Sequence, residues 1–125
     1  MRLPSEDAGP DDAATGQDLL DTLHEHEHEC VGLAANMIGV RKRIICVKDG
    51  NRALLMYNPQ ILEQVNAYQT SEGCLSLAGE RPCTRYRRIK VEYLDENFVR
   101  RIKNFSGYTA EIIQHEIDHC QGIVI

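Results

Sequence analysis

The residues best placed for chemistry are His115-Glu116-Ile117-Asp118-His119. In an α-helix, side chains four positions apart share a face, so His115 and His119 would aim their imidazoles at one point. Two convergent imidazoles are a divalent-metal signature. A carboxylate directly after the first, Glu116, reaches the same space and can move the protons of a water that the metal acidifies. Ile112, one turn before Glu116, extends that face with an apolar neighbour.

Two histidines leave a metal short of ligands, because catalytic centres commonly take three protein donors and keep one position open. Few residues follow His119, so the third donor is expected upstream. Cys74 is the leading candidate, since Glu72-Gly73-Cys74-Leu75-Ser76 has the look of a strand end or tight turn; an Asp or Glu remains open on spacing alone. A protease of the three-histidine or glutamate-completed type would need its last ligand after the helix.

The elements that must carry these groups can be read from periodicity. Thr15 is placed to cap a helix over residues 16–29, with Leu19, Leu20 and Leu23 as its apolar stripe. The β-branched run Arg43–Lys48 reads as a strand. Ala53–Asn58 reads as a second, ended by Asn58-Pro59, and residues 60–70 as a third with Ile61 and Val65 inward. Ile89–Leu94 and Phe98–Phe105 flank the turn Asp95-Glu96-Asn97, and Ser106 stands as N-cap to a helix over 107–120 that stops near Gly122. The fold class is α+β: antiparallel strands packed around a C-terminal metal-binding helix, with an N-terminal helix. Residues 1–14, rich in Pro, Asp, Gly and Ala, read as a flexible lead-in, and 15–125 as a single domain.

Composition narrows the role. At 125 residues the chain supports one core. A net charge of −5 argues against nucleic acid as a partner. The basic run Arg81, Arg85, Arg87, Arg88 and Lys90 reads mostly as a solvated strand face. No apolar stretch approaches the roughly 18 residues of a membrane span, and the N-terminus has no apolar signal segment. Five cysteines (Cys30, Cys46, Cys74, Cys83 and Cys120), odd in number and without a C-x-x-C pair, fit a reducing, cytoplasmic setting. Cys46 and Cys120 read as packed core thiols. Asp118 is placed to orient a ligand or pair with Arg85. The His24–Glu29 alternation puts His24 and His28 on one helix face, most simply a solvated helix end.

Three motifs in order resemble those of the peptide deformylases: Gly32-Leu33-Ala34-Ala35 with Ile38-Gly39, then Glu72-Gly73-Cys74-Leu75-Ser76, then Gln114-His115-Glu116-Ile117-Asp118-His119. The resemblance implies one divalent metal held by Cys74, His115 and His119, Fe²⁺ first, with Zn²⁺ or Ni²⁺ as alternatives. It also implies removal of the formyl group from N-formylmethionyl peptides or nascent chains. It gives Glu116 the role of general base and acid, and Leu75 the role of oxyanion donor through its backbone N–H. Val31, Gly32, Gly73 and Arg81 become peptide-holding positions, and Ile112 a wall of the pocket for the methionine side chain.

The sequence departs from the family pattern at two places in the first motif. Met37 stands where an oxyanion-binding glutamine is usual, and Cys30 where a glycine is. A thioether donates no hydrogen bond, and one such donor contributes about 2.7–4 kcal/mol to acyl-transfer rates. Reduced activity is therefore expected. An amidase acting on another N-acyl peptide would use the same residues, as would a non-catalytic protein that binds metal or formyl-peptide ends.

Overall fold

The computed structural model describes residues 5–26, 31–74 and 77–122, with backbone only at 73, 74 and 77–81. Among these residues are two α-helices, α1 (Ala13–Glu25) and α2 (Gly107–Cys120), short 3-10 turns at Pro10–Asp12 and Ala35–Ile38, and five strands: β1 (Gly32–Ala34), β2 (Ile44–Asp49), β3 (Arg52–Cys74), β4 (Leu77–Leu94) and β5 (Arg100–Ser106). The strands form one antiparallel sheet in chain order, β1-β2-β3-β4-β5. The α+β expectation holds, and α2 spans the residues read from the sequence.

The run Ile44-Ile45-Cys46-Val47 is apolar throughout because both faces of β2 are covered. Ile45 and Val47 join Ile112, Ile113, Ile117 and Cys120 of α2 in one cluster. Ile44 and Cys46 join Leu19 and Leu23 of α1 in the other. Successive strand residues alternate faces, so the two helices lie on opposite sides of β2. Cys46 and Cys120 are buried thiols, as expected, and burial pushes Cys120 up to about 12.

Several boundaries differ from the sequence reading. α1 begins at Ala13, with Asp12 rather than Thr15 at its N-cap, and ends at Glu25. Residues 5–14, which composition reads as a flexible lead-in, make specific contacts instead. Ser5 N–H donates to the Cys120 carbonyl at 2.7 Å, Ala8 is buried in the α1-side cluster, and Asn58 bonds both backbone groups of Ala8.

The second and third expected strands are one, β3. Asn58 takes a left-handed backbone (φ 53°), Pro59 sits at the irregularity that follows, and pairing with β4 slips between Tyr57 and Gln60 and again between Ile61 and Glu63. Each odd slip exchanges the faces of the sheet. Ile61 therefore packs on the α2-side cluster, whereas Val65, expected inward with it, is 49% exposed.

The β4–β5 turn matches the expectation. Asp95 accepts hydrogen bonds from the N–H groups of Asn97 and Val99, and Phe98 stacks on Tyr57. Ser106 occupies the N-cap of α2, without a side-chain cap bond.

Candidate metal centre

α2 carries the centre because its apolar residues, Ile112, Ile113 and Ile117, hold it on the sheet and turn His115 and His119 inward. His119 is fully buried and His115 nearly so. Their Nε2 atoms approach to 2.9 Å with the rings edge to face. This is the convergence that a four-residue spacing on a helix predicts.

β3 and β4 supply the support. Glu72 Oε1 lies 2.7 Å from His115 Nδ1. Arg85 donates to Glu72 through Nε, at 3.0 Å to both carboxylate oxygens, and through Nη2 at 2.7 Å. Its Nη1 reaches Asp118 Oδ2 of α2 at 2.7 Å. Arg85 is thus buried in the centre's support, not on the solvated face expected of its basic run, while Arg87 and Arg88 are exposed. The Asp118–Arg85 pair was legible as a possibility; the carboxylate that joins Arg85 to His115 was not.

Electrostatics follow from this packing. Burial pushes the Glu72 carboxyl upward, but hydrogen bonds from His115 and Arg85 outweigh it and hold the group well below the usual carboxylate range. Burial also opposes the charge of Arg85, and its bonds to Glu72 and Asp118 reverse that, so it stays cationic. Between two carboxylates, the guanidinium ties α2 to β3 and β4.

Glu116 is buried on the next position of α2. The backbone of β1 runs directly against it. A Cβ added at Gly32 would lie 3.0 Å from Glu116 Oε2 and 2.6 Å from Ile112 Cγ2. Glycine is needed at 32 for this close approach, which brings Gly32, Ile112 and Glu116 together. Val31 is half-buried against the α2-side cluster.

Other expected site residues are placed less fully. Gly73 and Cys74 end β3, where Gly73 pairs with Glu80 and Cys74 with Leu77; Arg81 is the strand partner of Glu72. The side chains of Cys74 and Arg81 lie outside the described residues, as does Leu75 altogether. His24 is exposed at the end of α1, and His28 and Cys30 lie outside the described residues. Met37 is half-buried, and its sulfur accepts the Ala34 N–H at 3.4 Å, closing the turn after β1.

Two residues that sequence reasoning missed brace the centre. Glu72 was visible only as part of a motif, although a ligating histidine commonly donates its other N–H to a carboxylate. Gln114 clamps α2 to β4, with Oε1 accepting from Tyr86 N–H and Nε2 donating to Tyr86 O, both at 2.8 Å.

The donor set suits a metal. Two buried Nε2 atoms converge, and the far nitrogen of His115 is committed to a carboxylate, which fixes its tautomer. Among the described residues no third His, Cys, Asp or Glu joins them. No described helix is long and apolar enough to cross a membrane.

Comparison with known proteins concerns the chain as a whole. A model of the polypeptide deformylase family matches residues 3–125. The peptide deformylase of Clostridium beijerinckii is 51% identical over 121 residues, 97% of this chain and 89% of that protein. A peptide deformylase structure from Thermus thermophilus superposes with a TM-score of 0.87 at 34% identity, covering 98% of this chain and 75% of that one. A class I type b peptide deformylase from Acinetobacter baumannii, bound to Met-Ala-Ser, gives 0.86 at 30% identity, covering 98% and 88%.

Proposed function

Because this chain belongs to the peptide deformylase family, and is therefore of a metal-dependent hydrolase type, we propose that it removes the formyl group from N-terminal N-formylmethionine of newly made polypeptides. The observation that carries the reading is the 2.9 Å convergence of His115 and His119 Nε2, with Glu72 behind His115.

In this reading the third ligand is Cys74, two positions beyond Glu72 on the same strand. A thiolate with two imidazoles suits Fe²⁺, Zn²⁺ or Ni²⁺, and Fe²⁺ is the proposed resident. When bound, the metal supplies a Lewis acid that polarises the formyl carbonyl and makes water nucleophilic near neutral pH.

The chain's own residues do the rest. Glu116 takes a proton from the attacking water and returns it to the amine as the C–N bond breaks, leaving formate and a free N-terminus. Its burial against Gly32 keeps the carboxylate in one position. The Leu75 N–H stabilises the developing oxyanion. Val31, Gly32, Gly73 and Arg81 hold the peptide, and Ile112 walls the methionine side chain. The Met-Ala-Ser complex of the Acinetobacter baumannii relative supports a peptide ligand of this kind. Cys83 and Cys120, neither in a disulfide, accord with work in the reducing cytoplasm.

Anaerobically purified protein, assayed for metal and for turnover of formyl-Met-Ala, tests the reading. About one metal per chain is expected, lost in Cys74→Ala and kept in Glu116→Ala, which should lose hydrolysis. Full metal occupancy in Cys74→Ala would remove that ligand. Peptide binding without turnover in the metal-loaded wild type would make the protein a binder.

A further inference from the structure

Glu72 has a further neighbour, which lies outside the three motifs. Glu111 sits one turn before His115 on α2, half-buried, with its carboxyl in hydrogen-bond reach of the Glu72 carboxyl. Tyr68 of β3 donates its O–H to Glu111 Oε1 at 3.3 Å, and the Arg87 guanidinium lies over the Tyr68 ring, 4.9 Å from its centre. A line of contacts therefore runs from exposed Arg87 through Tyr68 and Glu111 to Glu72, the carboxylate behind His115.

Two ionised carboxyls cannot hydrogen-bond each other, because each only accepts. One of this pair must hold a proton, and the surroundings decide which. Glu72 takes N–H bonds from Arg85 and contacts His115, and both favour its charge. Around Glu111 stand Tyr68 and Glu72 of β3 and Cys83 and Arg85 of β4, with His115 a turn along its own helix. Burial, then the bond and charge of Glu72, push the Glu111 carboxyl above its ordinary value; Tyr68 and Arg85 offset them only in part. Burial pushes Cys83 up to about 11, so it stands there as a neutral thiol.

We propose that Glu111 is a positioning residue for Glu72, its neutral carboxyl donating an O–H bond to the Glu72 carboxylate while accepting from Tyr68. A hydrogen bond to a carboxylate is short and strong. Arg85 grips Glu72 from β4 and Glu111 grips it from α2, so the carboxylate is kept on His115. The consequence for a metal rests on the reading of His115 as a ligand; the contact itself does not. If Glu111 ionised, two carboxylates would face each other and the brace would become a repulsion.

The test uses the full chain as wild type, Glu111→Gln, Glu111→Leu and His115→Ala. Glutamine keeps a donor for Glu72 and an oxygen for Tyr68 but does not titrate; leucine keeps the bulk and neither polar group. The Glu111 carboxyl, followed by carbon NMR and assigned by its loss in Glu111→Gln, should titrate above 4.5 in wild type. A value raised on folding contributes stability that is whole below the unfolded value and is lost as pH rises through the folded one. The melting temperature of metal-free wild type should therefore fall relative to Glu111→Gln across that interval. With Zn²⁺ as the probe in chelator competition, Glu111→Leu should bind about tenfold more weakly than wild type, and Glu111→Gln within about threefold of it.

Rescue by glutamine separates positioning from space-filling, which leucine would satisfy, and from a need for negative charge, which glutamine would fail. A Glu111 carboxyl that titrates at or below 4.5 overturns the proposal, as does wild-type Zn²⁺ affinity in Glu111→Leu or an equal loss in both variants. If Glu111→Leu does not fold, the carboxyl titration and the affinity of Glu111→Gln decide. Wild-type affinity in His115→Ala would overturn the ligand reading alone; the titration and melting of the metal-free chain still decide whether Glu111 holds Glu72.

Discussion

Glu72 Oε1 sits 2.7 Å from His115 Nδ1, on a strand 43 positions earlier in the chain, and the same oxygen takes a 2.7 Å bond from Arg85. One carboxylate thus orients a candidate metal ligand and neutralises a buried guanidinium.

Removing that carboxylate should have two effects of different size. Glu72→Ala leaves Arg85 buried with Asp118 alone, and breaking a buried pair in this way typically costs about 3–5 kcal/mol. It also frees His115 to rotate, so metal affinity should fall by roughly 10–100-fold. Glu72→Gln keeps an oxygen for His115 and should lose less of both. Chemical denaturation and Zn²⁺ competition measure the two; equal affinity in wild type and Glu72→Ala would remove Glu72 from the support of His115.

The same group makes the fold acid-sensitive. Its carboxyl is held below its ordinary value of 4.5 in the folded chain, against the upward push of burial, by hydrogen bonds from His115 and Arg85. A depressed folded-state pKa stabilises above the unfolded value, and that contribution is lost as pH falls below it toward the folded value. Melting temperature should therefore decline more steeply below pH 4.5 in wild type than in Glu72→Gln, whose position 72 does not titrate. Parallel profiles would show that other carboxyls govern acid unfolding.

Gly32 should tolerate no side chain. In Gly32→Ala the new Cβ would meet Ile112 Cγ2 at 2.6 Å and Glu116 Oε2 at 3.0 Å. Overpacking of this kind costs about 1–3 kcal/mol, and a displaced Glu116 should lower kcat while metal content stays whole. Ile112→Ala in the same protein should recover part of the stability. A Gly32→Ala enzyme with wild-type kcat would mean that the Glu116 carboxylate need not stay against β1.

Met37 is one of the two places where this chain departs from the first motif of the resemblance. If deformylation proceeds with the Leu75 N–H as the chain's oxyanion donor, Met37→Gln adds a second and should raise kcat/KM at least about tenfold, part of the ~2.7–4 kcal/mol available. The gain should fall mainly in kcat, because the oxyanion exists only in the transition state. The Met37 sulfur also accepts the Ala34 N–H, a role that a glutamine oxygen can take over. An unchanged rate would indicate that another donor already serves the oxyanion.

What the sequence determined by itself is what local geometry encodes. The limits of α2, the shared face of His115 and His119, the Asp95–Asn97 turn and the buried thiols Cys46 and Cys120 all follow from spacing within a few residues. So does the family, since its three motifs are short and lie in order. Tertiary structure alone decided the rest. The slips in β3 turned Val65 outward, because a change of pairing register reverses every later side chain and no residue near Val65 announces it. Residues 5–14 gained contacts with Asn58 and Cys120 that composition cannot foresee. Glu72, Arg85 and Asp118 became one unit because β3, β4 and α2 converge there; each charge is ordinary in its own stretch of chain and tolerable in the interior only beside the others.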